Sequence, residues 1–412
     1  MKDEEIKLPD YEVHEELSSL SQRIDWGLRQ MNVPTTWSIT RGEGITAMVI
    51  DTGHPVHPDL GDNVIEGKNC IPNEPLEDEN GHHTHCAGII CAKDNETGMV
   101  GVAPKAKCIS VKALAKSGGG TYAGLVQALD YAIEVKPDVV SMSLGGGSPS
   151  AQMEARIKKL YSMNIPVICA AGNTGEGGVN WPAAFDDTIA VAAHDKHGNI
   201  ANFSSRGEKV EWAAPGVQIY STFLNGMYRS LSGTSMACPF ITGVVCLMLA
   251  KHRKQEEETG KNDCKTVEQI REHLLKYTMD KGRLGRDESW GYGIIDVEKL
   301  IKGEEPEPKP KPEPKPKPEP KPEPKPEPKP KPEPKPEPKP KPEPKDPPPE
   351  KEKPKLEPKK KNNIAWIILG VFVIAAIAMS ISGSMDEEEV SDPPYIDENG
   401  NVDWNKKYEL EK

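Results

Sequence analysis

The chain has 412 residues and a formal net charge of -12 at pH 7. This acidic balance speaks against a nucleic-acid partner, since a phosphate backbone requires a concentrated basic face and the foldable part of the chain has none. Composition also divides the chain: residues 21–302 carry enough apolar sequence for one large core, whereas residues 303–361 are almost entirely Pro, Glu and Lys. The second region cannot bury enough apolar surface to offset the entropy cost of folding.

The chain begins with an acidic, polar head, residues 1–20. A secretion signal requires a continuous apolar core, which this head does not contain. Eight cysteines follow, without paired spacing and mostly within apolar runs. That pattern is typical of buried thiols rather than of a metal site or a disulfide framework. We therefore expect a domain that is not exported.

Apolar runs that end at turn residues recur along the next part of the chain and are typical of buried parallel strands. The predicted strands are Gly44–Asp51, Cys108–Val111, Val139–Met142, Val167–Ala170 and Thr188–Ala192. Stretches with helical spacing lie between them, at His85–Ala92, Thr121–Glu134 and Ala151–Met163. This alternation predicts an α/β domain whose parallel sheet is covered by helices on both faces.

In such sheets, functional residues follow the carboxyl ends of the strands. The predicted strands run into three turns of polar and small residues: Asp51-Thr52-Gly53, Ser143-Leu144-Gly145-Gly146 and Ala171-Gly172-Asn173. Farther along, the sequence Gly-Thr-Ser-Met-Ala around Ser235 opens an apolar helical stretch that reaches Lys251. We expect Pro239 to be tolerated there because it would fall in the first helical turn.

Three residues supply the carboxylate, the imidazole and the hydroxyl that acyl transfer by serine requires: Asp51, His82 and Ser235. Their order along the chain is the order found in subtilisin. Five local stretches, VIDTG, NGHHTHCAG, SMSLGG, AAGN and GTSMACP, resemble the signatures of the subtilisin-like serine proteases, or subtilases. The resemblance covers about residues 22–300 and is closest in style to the intracellular subtilisins. It implies the family's fold and its endoproteolytic activity.

The resemblance also implies a role for each of these residues. Ser235 would attack the scissile carbonyl, and His82 would act as general base and then as general acid. Asp51 would orient the imidazole. Asn173 would donate its side-chain amide to the oxyanion, although an ordinary turn residue at this position is the alternative.

Three histidines lie within residues 82–85, and the frame of the motif separates them. The family pattern His-Gly-Thr-His-x-Ala-Gly identifies His82 as the base. His83 stands where the family usually has glycine, so a bulky ring is expected beside the catalytic turn. His85 is interpreted as a hydrogen-bonded structural imidazole.

A substrate peptide is expected to add as a strand along the Ser143-Leu144-Gly145-Gly146 segment, whose glycines leave room for it. By resemblance, the S1 pocket for the side chain before the scissile bond would be walled by this segment and by Ala170–Asn173, which includes Ala171 and Gly172. Its floor would lie near Asn180, where many relatives have glycine. Because no acidic residue occurs there, we expect a somewhat narrowed pocket without a strict preference for Lys or Arg.

The resemblance further implies a structural calcium ion. Its ligands would be oxygen atoms, which Ca²⁺ prefers, from side chains and from main-chain carbonyls. The residues at the corresponding positions are Gln22, Asp59, Lys93, Asn95, Thr97 and Met99. The alternative is an ordinary surface loop, which the charge of Lys93 favours.

Within the head, residues Leu8-Pro9-Asp10-Tyr11 loosely resemble an element of the short propeptide of intracellular subtilisins. The resemblance implies an inhibited precursor in which a proline lies across the active site until the head is removed. A disordered acidic tail is the alternative.

The last quarter of the chain divides into three predicted segments. Residues 303–361 form a disordered, proline-rich stalk that favours polyproline II and acts as a spacer, with binding to an SH3-like partner as the alternative. Residues 362–385, which include the apolar run Ile364–Ile381, form one transmembrane helix, and a buried soluble helix is the alternative. Residues 386–412 form an acidic tail. Three lysines before the helix and four acidic residues after it place the protease domain on the cytoplasmic side.

These features predict an active serine endoprotease that hydrolyses protein or peptide substrates and is tethered to membrane lipid. Two other classes of function stay open. One is a catalytically impaired relative that only binds substrate, if His83 disturbs the site. The other is a membrane scaffold in which the stalk is the functional part.

Overall fold

We describe the fold from a computed structural model, which covers residues 5–17 and 21–304 and two short strands near the carboxyl terminus. The helices and strands, in chain order, are β1 (Glu5–Lys7), β2 (Glu12–Leu17), α1 (Trp26–Gln30), β3 (Thr46–Asp51), β4 (Val64–Asn69), α2 (His82–Cys91), β5 (Lys107–Lys112), β6 (Gly119–Thr121), α3 (Tyr122–Val135), β7 (Val139–Met142), α4 (Ala151–Ser162), β8 (Val167–Ala170), β9 (Ile189–His194), β10 (Val210–Pro215), β11 (Ile219–Thr222), β12 (Tyr228–Ser232), α5 (Thr234–Thr259), α6 (Val267–Lys276), β13 (Thr278–Met279), β14 (Ile294–Ile295), α7 (Val297–Lys302), β15 (Tyr395–Ile396) and β16 (Val402–Asp403).

Seven strands form one sheet in the order β10-β9-β8-β7-β3-β5-β4, and all its neighbouring pairs are parallel. Successive residues of β3 point to opposite faces, as the two-residue period of a strand requires. Ala47 and Val49 pack with α2 and α5, whereas Met48 and Ile50 pack with α3 and α4. Two apolar cores therefore lie on the two faces of the sheet, and the predicted α/β architecture with helices on both faces is confirmed.

The strands and helices predicted between residues 44 and 192 all occur, with ends that differ from the predicted ones by at most three residues. Among these the largest shift is in α2, which begins at His82 rather than at His85, whereas the later helix α5 continues eight residues past its predicted end at Lys251, to Thr259. Two strands of the sheet were not predicted, namely β4 and β10. β4 lies at the edge of the sheet and is mostly exposed, so its sequence VIEGKN lacks the continuous apolar run of a central strand.

The expectation for Pro239 was wrong, because α5 already begins at Thr234 and Pro239 is its sixth residue. A proline has no N–H for the carbonyl four residues earlier, which here belongs to Ser235. That carbonyl accepts instead from Ser143 Oγ at 2.9 Å and from Cys86 Sγ at 3.4 Å. Two residues outside α5, one just after β7 and one in α2, thus donate to the Ser235 carbonyl that the proline leaves without a helical partner.

Among the described residues, only α5 is long and apolar enough to cross a membrane, and 89% of its apolar window is buried inside the domain. It is the central helix of one of the two cores. The predicted membrane helix, the stalk and most of the acidic tail lie outside the described residues. Near the carboxyl terminus, β15 pairs antiparallel with β16.

Candidate active site

The carboxyl end of β3 and the start of α2 place Asp51 and His82 in direct contact. Nδ1 of His82 lies 2.8 Å from Oδ1 and 2.9 Å from Oδ2 of Asp51, and both side chains are fully buried. The backbone N–H of Thr52 also donates to Asp51 Oδ1, at 2.8 Å. Because a carboxylate only accepts hydrogen bonds, this contact places the proton on Nδ1 and leaves Nε2 as the basic nitrogen. Nε2 of His82 has no hydrogen-bond partner.

Ser235 is the second residue of α5, where backbone N–H groups have no partner within the helix. Its Oγ donates to the carbonyl of Ser143 at 3.4 Å rather than to His82. Since the helix N-terminus favours negative charge, an oxyanion formed at this point would be stabilised. Ser235 thus places a hydroxyl at an anion-stabilising helix end.

Asn173 follows β8 and faces the start of α5. Its Oδ1 accepts from both the backbone N–H and the hydroxyl of Thr234, at 2.9 and 2.8 Å. Those two bonds assign the oxygen and the nitrogen of the amide, so Nδ2 points into the cleft. There it donates to the carbonyl of Asp10 at 2.7 Å. An amide donor held in this way is preorganised for a carbonyl oxygen that gains negative charge.

The described part of the head occupies the cleft in front of these residues. β1 pairs antiparallel with β6 on one side, and Lys7 exchanges two backbone hydrogen bonds with Gly145 on the other side, at 3.0 and 2.9 Å. Leu8 N–H donates to the carbonyl of Gly118 at 2.9 Å. The 143–146 segment therefore does accept an added strand, and here that strand belongs to the same chain.

Beyond Pro9, the head passes directly over the candidate catalytic groups. The carbonyl at the Asn173 amide is that of Asp10, and the ring of Tyr11 lies 5.2 Å from the ring of His82. Burial, followed by the nearby Asp51 carboxylate, raises the pKa of Tyr11 above its ordinary value. β2 then pairs with β12, which leads into α5. The head thus contacts both walls of the cleft.

Four of the predicted S1 residues, Gly145, Ala171, Gly172 and Asn180, lie in contact with one another. Asn180 N–H donates to the Ala171 carbonyl at 2.9 Å, and its side chain lies against Gly172 and Gly145. A Cβ atom at Gly172 would come within 2.8 Å of the Asn180 amide. Glycine at 172 is therefore required by this close approach, because the Asn180 side chain lies directly against it.

Comparison with known families shows the family of this chain. The model of the subtilase family matches residues 42–293, which is more than half of the chain. The chain belongs to the subtilase family. Because its relatives are serine endopeptidases, this subtilase is a serine endopeptidase that acts on protein or peptide substrates.

Three relatives match the sequence of this chain over most of their own length. M-protease of Shouchella clausii (strain KSM-K16) is 36% identical over 289 residues, covering 70% of this chain and 72% of the relative. Subtilisin Savinase of Lederbergia lenta is 37% identical over 284 residues, covering 68% of this chain and 100% of the relative. An intracellular serine protease of Paenibacillus polymyxa is 36% identical over 291 residues, covering 68% of this chain and 88% of the relative.

The other two histidines of α2 in this subtilase are buried and differ in their contacts. Nε2 of His85 lies 3.0 Å from the carbonyls of Ile219 and Arg229, as expected of a structural imidazole. His83 is also fully buried, but neither of its ring nitrogens has a hydrogen-bond partner. Burial lowers the pKa of His83 to about 4 and that of His85 to about 3, so both rings are neutral at pH 7. His83 leaves the 2.8 Å contact between Asp51 and His82 intact.

Sequence reasoning missed Asp78, which ties the turn after β3 to the start of α2. Its Oδ1 accepts from the Thr52 hydroxyl at 2.8 Å and from Gly81 N–H at 3.0 Å, while Oδ2 accepts from the Thr84 N–H and hydroxyl. Burial opposes ionisation of this carboxyl, but His83 and these hydrogen bonds outweigh it and lower its pKa. The available signal was an acidic residue shortly before the helix, whose oxygen accepts from the N–H of Thr84 in the first turn as an N-cap side chain would.

The subtilase also gathers the six predicted calcium ligands into one loop cluster. Asp59 is buried and accepts from Asn95 Nδ2 at 3.0 Å and from Met99 N–H at 2.8 Å. Gln22 Nε2 donates to the carbonyl of Lys93 at 3.2 Å, and Thr97 N–H donates to Asn95 Oδ1 at 3.2 Å. The oxygen donors fit Ca²⁺, with one change: Asn95 now turns its amide nitrogen toward Asp59 and would have to present its oxygen.

The positive charge of Lys93 was the argument for an ordinary surface loop. In the structure this charge is paired with a carboxylate that is not one of the predicted calcium ligands. Its ammonium group lies 2.5 Å from Oδ1 of Asp62, on a different turn from Asp59. The pKa of Asp62 is lowered to about 2 by its hydrogen bonds to Lys93 and Lys107. Lys93 can therefore offer its main-chain carbonyl to a cation while its side chain points to Asp62.

Proposed function

We propose that Asp51, His82 and Ser235 form the catalytic triad of this endopeptidase. The observation that carries the proposal is the buried Asp51–His82 contact, which Cys86 links to Ser235: its Sγ lies 3.8 Å from His82 Nδ1 and 3.4 Å from the Ser235 carbonyl. Ser235 Oγ would leave the Ser143 carbonyl and transfer its proton to His82 Nε2 as it attacks the scissile carbonyl. Asp51 would stabilise the resulting imidazolium through Nδ1–H.

The tetrahedral oxyanion would accept from Asn173 Nδ2 and from the backbone N–H of Ser235. The imidazolium would then protonate the leaving amine, which leaves an acyl ester on Ser235. A water molecule, deprotonated by Nε2, would hydrolyse this ester in the second half of the reaction. Labelling with a serine-directed fluorophosphonate tests the proposal, since the truncated chain that begins at Ser21 should be labelled and its Ser235→Ala variant should not.

We further propose that the head, residues 1–20, is an inhibitory propeptide of the protease domain, residues 21–302. Support comes from its contacts on both sides of the cleft, at Gly118 and Gly145, and from the Asp10 carbonyl at the oxyanion donor. Ser235 is not hydrogen-bonded to His82 in this arrangement. The head therefore fills the substrate site while the nucleophile is not aligned with its base.

The chain truncated at Ser21 should cleave a peptide substrate faster than the unprocessed full-length protein. A covalently attached segment acts at an effective concentration in the millimolar range, so a head with ~100 μM intrinsic affinity would lower the initial rate about tenfold. The measurement is the initial rate of each form. A matched control is the full-length Gly145→Pro variant, which cannot donate an N–H to Lys7 and should be less inhibited relative to its own truncated form. Equal initial rates for truncated and intact wild-type chains would reject autoinhibition.

The same protein is proposed to hold a structural Ca²⁺ in the loop around Asn95. Gln22, Asp59 and Asn95 would supply side-chain oxygens, and Lys93, Thr97 and Met99 would supply carbonyls. The ion would join the loop after α2 to the segment before α1, because Gln22 N–H already donates to the carbonyl of Glu96 at 2.8 Å. Its chemistry would be structural, as the cluster does not include the candidate triad.

Removal of calcium should lower the melting temperature. A ligand that binds only the folded state stabilises it by mass action, by about 2.7 kcal/mol at a concentration 100 times its dissociation constant. We expect thermal unfolding of the Ser235→Ala protein to shift down in excess EGTA and to recover when Ca²⁺ is restored. Asn95→Ala should be insensitive to both additions, whereas Asn262→Ala, outside the loop, should respond like its parent. A melting curve unchanged by EGTA would contradict the calcium proposal.

Finally, we propose that residues 303–361 form a spacer and residues 362–385 a membrane helix that tethers the protease on the cytoplasmic side, with residues 386–412 beyond the membrane. The support is the sequence: Lys359–Lys361 precede the helix and Asp386–Glu389 follow it. A protease added outside intact cells should shorten the chain only by the terminal tail, measured by immunoblotting against residues before and after the helix. Digestion of the catalytic domain would reverse the orientation, and recovery of the full-length protein in the soluble fraction would exclude the anchor.

A further inference from the structure

A second group of metal-ligating side chains lies at the far end of α5 from Ser235. His252 belongs to α5, His273 belongs to the last turn of α6, and Asp263 lies in the loop that joins the two helices. Their nearest ligand atoms, two imidazole nitrogens and one carboxylate oxygen, all lie within 4.8 Å of one another. Seventeen residues of helix at about 1.5 Å each separate Ser235 from His252, so the group is about 25 Å from the candidate triad.

The distances between these side chains suit three groups that bind one common ion better than they suit direct hydrogen bonds between the histidines and Asp263. Nδ1 of His252 lies 2.9 Å from Oδ1 of Asp263, and Nε2 of His273 lies 3.7 Å from Oδ2. The first contact is short but poorly aligned for a hydrogen bond, and Nδ1 of His252 has no hydrogen-bond partner of good geometry. The side chain of His252 is only 5% exposed. A buried polar atom without a partner is costly and calls for an explanation, of which an ion is one.

The electrostatics leave both imidazoles neutral at pH 7, the form that binds metals. Burial, and then His273, lowers the pKa of His252 to about 4, and burial also lowers the pKa of His273. The Asp263 side chain is 67% exposed, which keeps a path from solvent open. Lys251 and Lys276 oppose a cation here, whereas Glu272 and Asp263 favour one.

We propose that His252, Asp263 and His273 form a binding site for a divalent transition metal of the Zn²⁺ class. Two imidazoles and one carboxylate, with water as the fourth ligand, are a donor set that zinc accepts in tetrahedral geometry. Bonds of about 2.0–2.1 Å in a tetrahedron place neighbouring ligand atoms about 3.3–3.4 Å apart, so the 2.9 and 3.7 Å distances require small movements. The nitrogen ligands favour Zn²⁺, Ni²⁺ or Cu²⁺ over Ca²⁺ or Mg²⁺.

The bound ion would join α5 to α6 across residues 260–266. α6 also carries Arg271, which forms a partly buried ion pair with Glu211 of β10, so the ion would add a second link between this helix and the core. Its distance from Ser235 assigns it a stabilising rather than a catalytic role.

Metal titration of four full-length variants tests this site. All carry Ser235→Ala to prevent self-cleavage: the parent, Asp263→Asn, His273→Gln and the control His197→Gln, which changes an exposed histidine outside the group. Binding of Co²⁺ is followed by its visible absorption, and binding of Zn²⁺ by the melting temperature. Asp263→Asn keeps the shape of an exposed side chain, so it tests the site without disturbing the core.

The parent and the His197→Gln control should bind one equivalent of Co²⁺ at this site and should melt at a higher temperature with Zn²⁺. Asp263→Asn and His273→Gln should weaken binding at least about 100-fold and remove the thermal shift, because each removes a ligand, and loss of an outer-shell partner alone costs 10- to 100-fold. Asp51, His82 and Cys86 also lie close enough to hold an ion. That group is the same in all four proteins, so equal Co²⁺ binding by all four would place the metal there and overturn the proposal. No binding by the parent would overturn it as well.

Discussion

Replacement of Ser235 by alanine should lower kcat by about a millionfold, the loss measured for the corresponding serine of subtilisin. The reason is that the other hydroxyl at the start of α5, that of Thr234, donates to Asn173 Oδ1 and cannot take over as the proposed nucleophile. The fold should be retained, since the only side-chain hydrogen bond lost is the 3.4 Å contact with the Ser143 carbonyl. Turnover of a chromogenic peptide by the chain truncated at Ser21 measures the effect.

Ser143→Ala is a matched control, because it also removes one buried hydroxyl from the same cleft. That hydroxyl donates to the Ser235 carbonyl at 2.9 Å, so its loss should affect the position of α5 but leave the nucleophile present. The control should still be labelled by a fluorophosphonate and should keep most of its turnover. If Ser235→Ala retained activity and labelling, the proposed nucleophile would be wrong. If the parent chain were itself unlabelled and inactive, the impaired relative would become the better interpretation.

Loss of the Asn173 amide donor should lower kcat by about 100- to 1000-fold with little change in KM, which is the effect measured for the corresponding donor in subtilisin. The structure allows the donor to be separated from the acceptor of the same side chain. Asn173→Asp keeps an oxygen for Thr234, which now donates to it at 2.9 and 2.8 Å, but places a second oxygen where the oxyanion would form. Asn173→Ala removes both functions.

We therefore expect Asn173→Asp to be at least as inactive as Asn173→Ala but to be the more stable of the two. The measurements are kcat and KM on a peptide substrate and the melting temperature of each variant. Thr234→Val is the control for position alone, since it removes the hydroxyl bond to Asn173 while the N–H bond and the amide donor remain. A kcat loss for Thr234→Val equal to that for Asn173→Ala would show that Asn173 acts by holding α5 rather than by binding the oxyanion.

Several features of this subtilase could be predicted because their signals are local. Central strands such as Val139–Met142 and Val167–Ala170 are buried on both faces, so they appear as continuous apolar runs with correct ends. The site residues Asp51 and Asn173 directly follow strands, so the parallel sheet brings them to one edge. The identity of His82 as the candidate base came from the frame of its motif, and its contact with Asp51 agrees.

The sequence by itself determined the fold class, the family and the residues of the candidate triad. Only the tertiary structure decided the relations between distant segments, because hydrogen bonds across the cleft leave no pattern within a single segment. It placed the head between Gly118 and Gly145, gave the Ser235 carbonyl freed by Pro239 its donors in Ser143 and Cys86, and brought His252 to His273. Each of these contacts depends on how the helices and strands pack together. That packing is determined by the burial of the two apolar cores, which involves residues from the whole domain.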